Sequence, residues 1–276
     1  MGFLIAIALT SFAADPVYAL ENGTIRIEVD PRLFAIRYIG FEGGENFVAP
    51  LTVSPEITAG TEWADPGGLH TDILPYTAQD AAVRRGPAEV LEYRSDYISM
   101  LGPPSSVNGM RLKKEIQLHK TGPSARFRVT AQRAAAEPAR VALRNTARIK
   151  PNCTLRIERT DGEITVIAGP DSIFPAVVKS RRFWLIPVPP TSEMRGVVLG
   201  AAISRVTTVT DSGTWTRRLA DPSTSESELP HGVAWLCLLD DPTKSYGSAF
   251  QGMYAEVNEG GLTTLEEVWE FDRRGR

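Results

Sequence analysis

The stretch Gly109–Ile149, GMRLKKEIQLHKTGPSARFRVTAQRAAAEPARVALRNTARI, decides how this chain reads. Its first alternation puts Leu112, Lys114, Ile116 and Leu118 on one face. The second pairs Phe127 with Val129, and the third aligns Val141, Leu143, Asn145, Ala147 and Ile149. Gly122-Pro123 and Glu137-Pro138 separate them as turn signals. A period of two residues marks half-buried strands. Two of these apolar faces carry one polar residue each, Lys114 and Asn145, the first hint of a site.

The same pattern continues on both sides. Thr24 to Val29 alternates Ile25, Ile27 and Val29 against Arg26 and Glu28, and Leu33 to Phe41 follows the break at Asp30-Pro31. Gly43-Gly44-Glu45-Asn46 is a turn. Further strands are expected at 88–100, 154–159, 163–168, 182–188, 197–203, 214–219, 233–239, 248–257 and 262–271. Asp161-Gly162 is a two-residue hairpin signal between two of them. Residues 54–88, rich in Gly and Pro, read as one long loop holding Trp63, His70 and Asp72, and long loops in compact domains are often functional. No capped 3.6-residue period stands out. Turn signals at this rhythm predict an all-β protein, a sandwich or a barrel.

The 276 residues are 42% hydrophobic and 23% charged, ordinary for a globular chain. A net charge of −3 provides no basic field for nucleic acid. The arginines, mostly at alternate strand positions, read as solvated sheet faces. Phe3 to Ala14 is an apolar run without a charge, followed by Val17-Tyr18-Ala19, with Ser11-Phe12-Ala13 as a second small-residue signal. That is the shape of a secretory signal peptide, although no Lys or Arg precedes the run. The run is too short to span a bilayer. The expected organisation is a signal peptide over 1–19, a single domain over 20–276, and a periplasmic or secreted location. Cys153 and Cys237 lack metal-ligand spacing and are compatible with a disulfide or with two buried thiols.

Several motifs resemble the galactose mutarotase-like proteins, which include the aldose 1-epimerases. These are Asn22-Gly23, Val29-Asp30-Pro31, the glycine turn at Gly43-Gly44-Glu45-Asn46, the strand Leu112-Lys113-Lys114-Glu115-Ile116-Gln117-Leu118, and Leu143-Arg144-Asn145-Thr146. Trp269 near the end of the last strand also fits. The similarity is closest to uncharacterised bacterial mutarotase-like proteins and spans residues 22–271. It implies a large antiparallel two-sheet sandwich, a supersandwich, with sugar bound on a concave sheet face. The epimerases of that family place a catalytic histidine after the third central strand; here Lys150-Pro151-Asn152 stands there. Mutarotation needs a base and an acid, so an epimerase reading requires His70 or His231 as a relocated histidine.

The candidate site residues follow from these readings. Lys114 and Asn145 are hydrogen-bonding candidates for sugar hydroxyls. Glu267, on the face of Leu265, Trp269 and Phe271, is a candidate base. His70, two residues before Asp72, and His231, in Pro230-His231-Gly232, are candidate acid–base groups. Trp63 is a candidate stacking platform, whereas Trp184 and Trp235 sit in apolar runs that suit a core. The expectation is that Lys114, Asn145, Glu267, His70 and Trp63 line one pocket. No P-loop, nucleophile elbow or HExxH occurs, and no cofactor or metal is expected. The leading function is exported carbohydrate binding, with a small sugar or oligosaccharide as ligand. The alternatives are an aldose 1-epimerase and a non-catalytic structural sandwich module.

Overall fold

The computed structural model describes residues 17–50, 67–75, 86–105, 109–135, 137–158, 165–168, 178–179, 182–188, 197–201, 205–220, 235–238, 246–252 and 254–273. Among them there is no helix, and so none long and apolar enough to cross a membrane. Among the described residues all strand pairs are antiparallel, and they form two sheets of ten described strands each.

Sheet A runs in the order β1 (Tyr18–Glu21), β2 (Ile25–Asp30), β3 (Ala35–Phe41), β4 (Leu69–Leu74), β9 (Ala139–Ile149), β18 (Tyr246–Gln251), β17 (Trp235–Leu238), β14 (Val197–Ala201) and β11 (Thr165–Ala168). The short β19 (Ala255–Val257) also pairs with β9. Sheet B runs β12 (Val178–Lys179), β13 (Phe183–Val188), β10 (Cys153–Glu158), β15 (Arg205–Val209), β16 (Thr214–Leu219), β20 (Leu262–Asp272), β8 (Ser124–Arg133), β7 (Met110–Leu118), β6 (Tyr97–Pro104) and β5 (Glu89–Arg94).

The period-two faces meet between the sheets. Leu112, Ile116, Phe127, Val129 and Leu143 belong to one continuous core, together with Val141, Ala147 and Ile149. Each large apolar side chain buried there contributes about 1.5–3 kcal/mol. The outer face of sheet B is polar, as an antiparallel sheet with one solvated face should be. Arg126 and Arg128 pair there with Glu266, and Arg205 and Arg218 with Glu270. Sheet A differs at its centre, because β9 is buried on both faces from Val141 to Ile149 apart from Arg144.

The structure departs from the sequence reading at three places. The supposed long loop contains β4, a central strand, which pairs with β9 in the register His70↔Thr146 and Asp72↔Arg144. Both faces of β4 are buried, so the alternation that marks a half-solvated strand is absent. Asp161-Gly162 lies outside the described residues, and the strands expected on either side of it do not pair: β10 pairs with β13 and β15 in sheet B, whereas β11 pairs with β14 in sheet A. Finally, Arg217 is not on a solvated face. It is 1% exposed and lies in the core beside Trp215 and Trp269.

β1 pairs Tyr18 with Val29 and Ala19 with Glu28. The Tyr18 ring meets the Tyr93 ring edge-on at 4.8 Å, and the Tyr93 hydroxyl donates to the Ala19 carbonyl at 2.8 Å. Val17-Tyr18-Ala19 is therefore largely strand, and Ser11-Phe12-Ala13 lies outside the described residues. Cys153 is a buried free thiol whose Sγ donates to the Lys150 carbonyl at 3.2 Å. Burial pushes its pKa up to about 12. The Cys237 side chain lies outside the described residues.

Candidate functional site

Strand parity divides the polar residues of the central strands into two groups on opposite faces of sheet A. The core-facing group is built on Glu267 of β20, which is fully buried. Its Oε1 accepts from Asn145 Nδ2 at 2.9 Å and from Arg217 Nη2 at 2.9 Å. Its Oε2 accepts from Arg217 Nε at 2.8 Å and from Trp269 Nε1 at 2.9 Å. Arg217 continues across the sandwich to the carbonyls of Ser248 and Asn145, at 2.7 and 3.1 Å. Thr71 Oγ1 donates to Asn145 Oδ1 at 2.9 Å. The network thus ties β16 and β20 of one sheet to β4, β9 and β18 of the other. Each carboxylate oxygen takes two donors, so the chemistry of this group is that of a structural tie.

Lys114 lies elsewhere. Its ammonium donates to the Phe34 carbonyl at 2.5 Å and sits 3.9 Å from the Phe34 ring centroid. Phe34 holds a left-handed backbone with φ 48°, uncommon for a residue with a side chain. Gly102 leaves room for its ring, because a Cβ there would stand 2.6 Å from Phe34 Cε1. The buried lysine anchors the turn between β2 and β3.

The outer group forms a grid on β4, β9 and β18. One row is Asp72, Arg144 and Gln251, and the next is His70, Thr146 and Ala249. Asp72 Oδ2 accepts from Arg144 Nη2 at 3.3 Å and lies 3.8 Å from His70 Nε2. His70, Asp72, Thr146 and Gln251 are all at most 3% exposed. The Arg144 side chain is 21% exposed and is the member of the Asp72–Arg144 pair open to solvent. Two buried donors, Arg144 Nε and Gln251 Nε2, have no acceptor among the described residues. A row of carboxylate, guanidinium and amide suits a ligand that both donates and accepts hydrogen bonds. Among the described residues, no group of three or more His, Cys, Asp or Glu is placed to hold a metal ion.

The structure thus brings Asn145 and Glu267 into direct contact, places His70 on the opposite face of sheet A, and puts Lys114 against Phe34. Trp63 and His231 lie outside the described residues. Trp184 is buried, and the Trp235 side chain is not among those described. Sequence reading missed Arg144 and Gln251. The available signal was parity: Arg144 and Thr146 must face away from Asn145, whatever strand lies beside them.

No protein-family model matches the chain, and no curated protein matches it by sequence. Solved structures do match. A candidate aldose 1-epimerase from Escherichia coli K12 superposes with a TM-score of 0.65 at 11% identity, over 94% of this chain and 99% of the other. A galactose mutarotase-like protein from Lactobacillus casei ATCC 334 gives 0.64 at 10% identity, over 93% of this chain and 100% of the other. A galactose mutarotase-like protein from Clostridium acetobutylicum gives 0.56 at 8% identity, over 93% and 95%. At such identities the likeness is one of fold, and it extends over nearly the whole chain. The chain has the galactose mutarotase-like fold.

Proposed function

We propose that the protein binds a carbohydrate on the outer face of sheet A, over the Asp72–Arg144–Gln251 row, and that it does so after export from the cytoplasm. The supporting observation is the pair of buried donors without acceptors, Arg144 Nε and Gln251 Nε2. A buried donor left unsatisfied costs about 1–3 kcal/mol. Sugar hydroxyl and ring oxygens are acceptors of the right kind, and a hydroxyl also donates to a carboxylate such as Asp72. Arg144 is the point of entry for such a ligand. Titration calorimetry with a panel of mono- and oligosaccharides, beginning with D-glucose and D-galactose, tests the reading. Saturable binding that weakens in Arg144→Gln supports it; a panel without saturable binding counts against it. Export is checked by the intact mass and cell fraction of the protein made in a bacterium.

One observation favours a second reading, an aldose 1-epimerase. His70 Nε2 lies 3.8 Å from Asp72 Oδ2, which places an imidazole and a carboxylate side by side on one face. Proton transfer to and from an anomeric centre needs two such groups. Polarimetry on freshly dissolved α-glucose and α-galactose decides it. A rate above the buffer blank that is abolished in His70→Ala establishes the epimerase; a rate equal to the blank leaves binding alone.

A further inference from the structure

We propose that the outer face of sheet B carries a second binding site, for a small oxyanion-bearing ligand, in the cleft between Arg126 and Arg218. This site is independent of the carbohydrate reading, because it lies on the other sheet and uses none of the same residues.

The cleft has a volume of about 460 Å³, and Gln117, His119, Lys120, Arg126, Arg218 and Val268 are among its lining residues. No carboxylate lines it. Gln117, Arg126, Val268 and Arg218 form one row across β7, β8, β20 and β16. Arg126 and Arg218 are two strands apart, roughly 10 Å between Cα atoms at the usual strand spacing. They flank Val268, which gives the row an apolar floor.

Each guanidinium group lies against one carboxylate. Arg126 Nε lies 3.0 Å from Glu266 Oε1, and Arg218 Nε lies 3.3 Å from Glu270 Oε1. The carboxylates thus approach the Nε of each arginine; Arg218 donates a hydrogen bond to Glu270, and Arg126 makes an ion contact with Glu266. The terminal nitrogens of both arginines donate no hydrogen bond among the described residues. Terminal guanidinium nitrogens form the fork that carboxylate, phosphate and sulfate oxygens accept from in pairs. Lys120, also in the lining, adds a third positive charge. His119 Nδ1 accepts from the Thr121 amide at 3.5 Å, which in the neutral ring leaves the proton on Nε2 as a further donor. The site has three cationic side chains around an apolar floor, the arrangement a small anion or an acidic sugar requires.

The test is nuclear magnetic resonance titration of the ¹⁵N-labelled full chain with inorganic phosphate, galacturonate and neutral D-galactose. The expected result is saturable shifts at Lys120, Arg126 and Arg218 with phosphate or galacturonate. Phosphate saturating at lower concentration marks a site for the bare oxyanion; galacturonate saturating first marks an anion carried on a sugar. Arg126→Gln and Arg218→Gln should each weaken binding about tenfold, the ordinary cost of losing one charged hydrogen bond. Lys113→Gln removes one charge from the same face outside the cleft and should leave the affinity unchanged. The proposal is overturned if neither anion saturates, or if D-galactose gives the same shifts at those residues. Equal weakening by Lys113→Gln also overturns it, since that would show only the diffuse field of the face.

Discussion

Arg217 and Glu267 form a fully buried bidentate pair, with Nε to Oε2 at 2.8 Å and Nη2 to Oε1 at 2.9 Å, and the same arginine binds two carbonyls of the opposite sheet. Removing one partner from such a pair strands a charge in the core, at a cost of about 3–5 kcal/mol. Glu267→Gln should therefore lower stability by that amount in urea denaturation. The structural account also predicts that the folded fraction of Glu267→Gln binds saccharide as the wild type does. A variant of wild-type stability that loses binding would move Glu267 into the ligand site.

Lys114 shares this structural character. Lys114→Met keeps most of the side-chain packing but leaves the Phe34 carbonyl without its ammonium donor. The expected loss is about 1–3 kcal/mol of stability, read as a lower urea midpoint, with saccharide affinity unchanged. An unchanged midpoint would show that the Phe34 turn does not depend on the lysine.

Asp30 supplies a pH dependence. Burial alone would raise its carboxyl, but hydrogen bonds from the Arg32 guanidinium and amide outweigh burial and hold it below its ordinary value of 3.8. A carboxyl depressed in the folded state stabilises the fold above its unfolded pKa and loses that contribution as pH falls through the folded value. Asp30→Asn should be destabilised by about 1–3 kcal/mol at pH 7. The gap to wild type should narrow below about pH 4. Urea midpoints at pH 7 and pH 3 check the sign, and a gap that widens at pH 3 contradicts it.

β1 predicts how the N-terminal segment bears on the fold. A chain starting at Ala14 keeps the strand, whereas one starting at Leu20 loses the Tyr18–Tyr93 ring contact and the Ala19 acceptor of the Tyr93 hydroxyl. Together these are worth about 2 kcal/mol, or about 4–8 °C in a domain of this size. Melting curves of the two truncated chains measure it; equal midpoints would show that β1 contributes nothing.

The sandwich was legible because its strands alternate, and the core of Leu112, Ile116, Phe127, Val129 and Leu143 follows directly from parity. Asn145 and Glu267 stood out as polar exceptions and do meet. Their partner, Arg217, was hidden by its neighbour Arg218, since two adjacent arginines look alike in composition. The parity of Trp215, Arg217 and Leu219 was the only clue that one of them points inward. β4 escaped notice because a strand buried on both faces carries no alternation, and Gly67 and Gly68 before it read as loop. The outer grid was illegible for a further reason. Asp72, Arg144 and Gln251 come from three strands far apart in sequence, and only the sheet order makes them neighbours.

The proposed binding mode holds ligand on the outer face of sheet A and not at the polar network between the sheets. Calorimetric titration of one saccharide hit into wild type, Arg144→Gln, Gln251→Ala and Lys114→Met tests it most directly. Losing a charged hydrogen bond to ligand costs about ten- to a hundredfold in affinity. A loss of at least about tenfold is expected in Arg144→Gln, a smaller loss in Gln251→Ala, and wild-type affinity in folded Lys114→Met. Wild-type affinity in both Arg144→Gln and Gln251→Ala would contradict it.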